Sequence, residues 1–172
     1  MRKCILFLPL VVAFACTSKE KVKREIIRID HAWLDSITRK SDTSWIKPYR
    51  NNEQVTAEYY VDRKDSIVTQ LMKDSASNIR QITIAKYDQV RLFFAEYYSN
   101  GQMMARLPLD NTGKYNGEGR FYFEDGRVKS TGQFAHGFYT GEWKNYNKKG
   151  VLLSIDIYDE NGQLITTKKM NE

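Results

Sequence analysis

All ten glycines of this 172-residue chain stand at or after residue 101, and they recur at a fixed period. Gly101, Gly126 and Gly150 are 25 and 24 residues apart; Gly113 and Gly137 are 24 apart, and so are Gly117 and Gly141. Their surroundings repeat as well. Lys114-Tyr115-Asn116-Gly117-Glu118 answers Phe138-Tyr139-Thr140-Gly141-Glu142. A period of this size marks a repeat architecture with one supersecondary unit per copy. Such arrays present an extended surface, which suits binding and scaffolding more than catalysis.

Each unit reads as a β-hairpin. Asn100-Gly101 and Asp125-Gly126 carry the signal of a two-residue type I′ turn. Runs of strand length, rich in aromatic and β-branched residues, flank them: 90–98, 119–123 and 151–158. Looser glycine-bounded connections follow at 112–117 and 135–141. The alternation along the strands is imperfect. Phe121 and Phe123 oppose Tyr122, and Trp143 opposes Tyr146, so tyrosines interleaved with Lys and Arg fall on both faces. A two-layer sandwich would separate apolar from polar more cleanly. The expected fold is therefore all-β: a single-layer antiparallel meander of stacked hairpins, with a short amino-terminal helix or tether.

Tyr115-Asn116-Gly117-Glu118-Gly119, Tyr139-Thr140-Gly141-Glu142-Trp143, and the spacings Tyr122 to Gly126 and Tyr146 to Gly150 resemble the MORN-repeat variant. The resemblance covers roughly residues 90–165. The chain departs from the pattern at Leu92-Phe93-Phe94 and at Gly119, where an aromatic residue is usual. The family implies stacked hairpins and an interaction role, without a particular ligand.

The amino terminus reads as an address. Met1-Arg2-Lys3 is basic, and residues 5–15 are an apolar run too short to span a bilayer, which needs about 20 residues. It fits a secretory leader. Ala13-Phe14-Ala15-Cys16 resembles the bacterial lipoprotein signal, in which cleavage precedes the cysteine and the cysteine is lipidated. The resemblance implies a membrane anchor at Cys16. With Thr17 rather than Asp after the cysteine, it implies the outer membrane of the cell envelope, facing the periplasm. Cys4 and Cys16 are the two cysteines. Cleavage and lipidation would use both, leaving the mature chain without a disulfide.

Residues 17–100 hold no glycine and one proline, Pro48. Val22, Ile26, Ile29, Trp33 and Ile37 recur at helical spacing, although Ile26-Ile27-Arg28-Ile29 also has β character. After Pro48 strand-like runs continue to residue 98, joined by Asp/Asn/Ser turns. Ala57-Glu58-Tyr59-Tyr60 recurs as Ala95-Glu96-Tyr97-Tyr98, as if the middle were a diverged part of one meander. The expected organisation is a signal peptide at 1–15, a tether with an amphipathic helix at 16–45, diverged meander at 46–89 and repeats at 90–165.

Motifs for catalysis, metal ligation and phosphate binding are missing from the sequence. His31 and His136 are the two histidines, and Glu118 and Glu142 recur because the repeat does. No catalytic residue, metal ligand or cofactor is therefore expected. The formal charge of +6 falls with the loss of Arg2 and Lys3, and no long basic stripe remains, which disfavours nucleic acid. The sequence favours a non-catalytic binding or scaffold module with a protein partner and a lipid anchor. Tyr115, Tyr122, Tyr139, Trp143 and Tyr146 are its candidate contact residues. The alternatives are an enzyme or enzyme accessory subunit of unrecognised type, or an antitoxin-like partner-binding protein.

Overall fold

The computed structural model describes residues 22, 24–49 and 52–170. Cys16 and the apolar run at 5–15 lie outside the described residues. Eleven strands pair in sequence order into one open sheet. They are β1 (Thr43–Tyr49), β2 (Asn52–Asp62), β3 (Ile67–Asp74), β4 (Ile79–Lys86), β5 (Arg91–Tyr97), β6 (Met103–Arg106), β7 (Gly117–Tyr122), β8 (Val128–Ala135), β9 (Phe138–Tyr146), β10 (Leu152–Tyr158) and β11 (Leu164–Lys169). Every neighbouring pair is antiparallel. The fold is the single-layer meander. The sheet begins at Thr43 and ends at Lys169, and it continues unbroken across residues 89 and 90.

The turns differ from the expected two-residue type. Gly101 donates its N–H to Tyr98 O at 2.9 Å, and Tyr98 donates to Gln102 O at 2.9 Å, enclosing three loop residues. Gly126 and Gly150 sit in the same hydrogen-bond frame. In each loop the glycine alone takes positive φ, as at Gly126 with +84°; Asn100 and Asp125 do not. This is a type I turn closed by one left-handed residue. The preceding Asn or Asp serves as an acceptor: Asp125 Oδ1 takes the Arg127 N–H at 3.0 Å, and Asn100 Oδ1 takes that of Gln102 at 2.9 Å.

The glycine-free half uses the same frame. Ser77 donates to Asp74 O and Gln89 to Lys86 O, each at 2.9 Å, with φ of +64° and +70°. These two side-chain-bearing residues hold the position that glycine holds later in the chain. The Ala-Glu-Tyr-Tyr recurrence does not mark equivalent positions. Glu58 pairs with Leu71, Leu71 with Ile82 and Ile82 with Ala95, so Ala95 shares a face with Glu58 and not with Ala57.

One face is covered by the segment that precedes the sheet. Helix α1 spans His31–Thr38, capped by Asp30, whose carboxylate accepts the Trp33 N–H at 3.0 Å. It lays Leu34 against Leu71, Ile82, Ile84, Ala95 and Tyr97, flanked by Ile29, Trp33 and Ile37. The expected helical stripe from Val22 therefore starts only at His31. Upstream, residues 24–28 run extended as a strap: Arg24 bridges Arg127 and Arg28 bridges Gln102. The β character of 26–29 prevails because the sheet offers backbone partners. Glu25 donates to Gly126 O and Met103 donates to Ile27 O, both at 2.8 Å.

Side chains fasten the strap. Glu25 accepts from Arg120 Nη1 at 2.6 Å and from the Tyr122 hydroxyl at 2.8 Å. Gln102, 1 % exposed, donates to Glu25 O and Met103 O and accepts from the Ile27 N–H. Each buried polar atom has its partner, which avoids a desolvation cost of about 1–3 kcal/mol per group. The described part of the expected tether is thus an integral layer.

Gln89 is exposed and left-handed. A non-glycine residue there costs about 1–2 kcal/mol, partly offset by the greater unfolded-state freedom of glycine. Gln89→Gly is expected to raise stability in urea by about 0.5–1 kcal/mol; unchanged or lower stability would contradict this account of the turn.

Candidate binding face

The face opposite the strap carries a row of aromatic rings. Phe94 lies 6.4 Å from Tyr115, Tyr115 5.4 Å from Phe134, and Phe134 4.8 Å from Tyr139 between ring centroids. Trp143 meets Tyr139 at 4.5 Å and Phe134 at 5.0 Å, both edge to face. Tyr158 stacks on Tyr139 at 5.3 Å. Each such pair adds about 0.5–1.5 kcal/mol beyond burial. Arg91 closes one end, 4.9 Å from the Tyr115 ring centroid and 5.7 Å from that of Phe94. It also donates to the Tyr115 hydroxyl at 3.2 Å and to Gly113 O at 3.3 Å.

The rings sit low because the strands beneath them lack side chains. Gly119 pairs with Gly132 across β7 and β8. A Cβ on Gly132 would lie 2.4 Å from the Trp143 ring, and one on Gly119 2.5 Å from the Phe134 ring. Neither glycine has positive φ, so close approach, not turn geometry, requires them. Trp143 Nε1 donates to Gln133 O at 3.0 Å, which satisfies its polar atom as the ring is buried.

Two of the expected contact residues are therefore structural. Trp143 is 2 % exposed and Tyr122 0 % exposed. Tyr122 lies on the strap face and spends its hydroxyl on Glu25. Strand alternation from Trp143 puts Tyr146 on that face too, half-buried opposite Leu152. Tyr115, Tyr139 and Trp143 come together on the aromatic face. Among them Tyr139 is open, at 37 %.

Beside Tyr139 lies a shallow hollow of about 270 Å³ lined by Phe121, Lys129, Ser130, Tyr139, Trp143, Asn145, Asp156 and Tyr158. Its polar wall is ordered. Asn145 donates to Asp156 Oδ2 at 2.7 Å and to Ser154 Oγ at 3.2 Å, and Thr167 donates to Asp156 Oδ1 at 2.7 Å. Burial, then the neighbouring Tyr158 and Tyr115, raises the Tyr139 phenol; burial, then Asp156, raises Tyr158. Both phenols are neutral at physiological pH and present hydroxyls beside aromatic surface. A larger hollow of about 570 Å³ opens between α1 and the β3–β4 and β5–β6 turns. Its Lys73 is already paired with Glu58 at 2.7 Å. Among the described residues, no three His, Cys, Asp or Glu side chains gather as a metal site.

Sequence reasoning missed Arg91, Phe94, Phe134 and Tyr158 on this face, and Glu25 and Gln102 on the other. Isolated glycines at 119 and 132, inside strand patterns, were the available signal that another group approaches closely.

With this geometry in view, the MORN repeat variant family matches residues 115–136, the segment that carries β7 and β8. No curated protein matches the chain. The family match and the row of hairpins point to a repeat-based binding or scaffold module.

Burial raises the Tyr97 and Tyr122 phenols to about 12; for Tyr122 the hydrogen bond to Glu25 adds to it. Unfolded tyrosines titrate near about 10. The folded state holds these protons more tightly, so their stabilisation is full below about pH 10 and is lost as pH rises through about 12. Phenolate absorbance in a pH titration should show a group of tyrosines ionising only with cooperative unfolding. Smooth ionisation of all eleven tyrosines near pH 10 would contradict these burials.

Proposed function

We propose that this chain is a non-catalytic binding module, held at the outer membrane by lipid on Cys16 and facing the periplasm, that receives a protein partner on its aromatic face. The observation that carries the reading is the hollow beside Tyr139. It joins exposed aromatic surface to an ordered row of hydroxyl, amide and carboxylate groups. Tyrosine supplies large, rigid contact area with a polar tip at low entropic cost, which is why it is enriched at protein interfaces. Trp143, Phe134 and the glycines beneath them form the rigid floor, and Tyr139, Tyr158 and Lys129 are the rim that a partner meets. The leader ending at Cys16 supports the anchor, and the repeat match supports the binding role.

The test is crosslinking on intact cells followed by purification from membranes. Tyr139→Phe combined with Lys129→Ala, which keeps the ring packing and removes the exposed hydroxyl and the cation, should lower the yield of the crosslinked partner at least tenfold while the thermal midpoint falls by only a few degrees. Cys16→Ser should abolish labelling by a fatty-acid probe and release the protein from membranes. Undiminished crosslinking in the first variant would overturn the contact face; undiminished labelling in the second would overturn the anchor.

A further inference from the structure

The strap meets the repeats in step. Arg28 bridges Gln102 just after the β5–β6 turn, Glu25 donates to Gly126 O in the β7–β8 turn, and Val22 donates to Gly150 O in the β9–β10 turn. Three strap residues thus pass for each hairpin. The match is metric. A hairpin is two strands wide, about 9.6 Å, and three extended residues rise about 10 Å. Read from Arg28 back to Val22, the strap travels along one rim of the sheet toward β11.

From this register we infer that the module stands end-on at the bilayer, with β11 and the β9–β10 turn against anionic lipid headgroups and β1 pointing away. The inference rests on the anchor at Cys16 proposed above. Val22 is six residue steps from Cys16, a span of at most about 20–22 Å when fully extended. The β9–β10 turn lies roughly 40 Å from β1 along the sheet, at about 4.8 Å per strand. An anchor at Cys16 therefore cannot reach lipid with the β1 end down.

The chemistry of the β11 end suits a headgroup layer. All six residues of β11 are exposed, with Leu164 at 54 % and Ile165 at 64 %. Lys168 and Lys169 close the strand, and Lys148 and Lys149 stand exposed in the neighbouring turn. At the Lys169 end of the strand these four lysines gather, and their alkyl stems reach inward while the charges meet phosphate; Leu164 and Ile165 stand at the other end, beside the exposed Glu160 of the β10–β11 turn. The β1 end carries charges of both signs, Arg63 and Lys64 standing between Asp62 and Asp65, together with exposed Trp45 and Ile46, so the reach of the anchor and not composition decides which end meets lipid.

The experiment uses the full, processed protein reconstituted in vesicles of phosphatidylglycerol and phosphatidylethanolamine. The chain has no cysteine besides Cys4 and Cys16, so a single new thiol can carry a fluorophore. Lys168→Cys reports on β11 and Lys47→Cys on β1; lipids with brominated or nitroxide-bearing chains and headgroups serve as quenchers. Fatty-acid labelling and flotation come first. With lipidation confirmed, quenching at position 168 is expected to exceed that at position 47 at least threefold. Equal quenching, as for a sheet lying flat, or stronger quenching at 47 would overturn the orientation and leave the anchor standing. Failure of labelling and flotation would overturn both. A Lys168→Cys, Lys148→Ala, Lys149→Ala variant adds a second readout: its quenching should fall at least twofold, and an unchanged value would contradict the headgroup contact.

Discussion

The contact between the Trp143 ring and the bare backbone of Gly132 sets the terms for the rest of this molecule. A single-layer sheet has no partner sheet to fill its faces. Each face must find cover within the chain or remain wet. Over β7–β9 the cover is the sheet's own aromatic side chains, laid low across two strands that carry no side chain at Gly119 and Gly132. Truncation of such a ring would leave a cavity costing about 3–5 kcal/mol. Addition of a methyl beneath it would force the ring upward.

The other face is closed by different means. Helix α1 spans the middle strands, and the strap crosses the repeats where Glu25, Arg120, Tyr122 and Gln102 satisfy one another. This division has a functional consequence. The strap face is occupied by the chain itself over much of its length. The aromatic face keeps an open margin at Tyr139, beside the hydrogen-bonded wall of Asn145, Asp156 and Thr167. Rigid cover beneath and an exposed rim above is the arrangement that lets a binding surface form without ordering costs at each encounter.

The antiparallel meander order and the single layer were legible because hydrophobic runs and turn residues act locally. The glycine period announced the hairpins. Its meaning was only half legible, because glycine serves two ends here. Gly101, Gly126 and Gly150 supply a left-handed turn residue, and a pair of flanking residues suffices to suggest it. Gly119 and Gly132 supply clearance for rings 10 to 15 positions away in sequence, and that depends on register. Trp143 was misread for the same reason: its neighbours Phe134, Tyr139 and Gly132 converge only when β8 and β9 pair. The strap was misread because Ile26 and Ile29 fit a helix as well as a strand, and the carbonyls of Gly126 and Gly150 that decide between them lie about 100 residues or more downstream.

The most direct test of this account is a double-mutant cycle on Gly132 and Trp143, read by urea unfolding. If the glycine is there to admit the ring, Gly132→Ala should destabilise the otherwise unchanged chain by about 1–3 kcal/mol. In the Trp143→Ala background it should cost within about 0.5 kcal/mol of nothing, because the clash is gone. Equal destabilisation in both backgrounds would show that Gly132 answers to the backbone alone and would contradict the account of how this face is built.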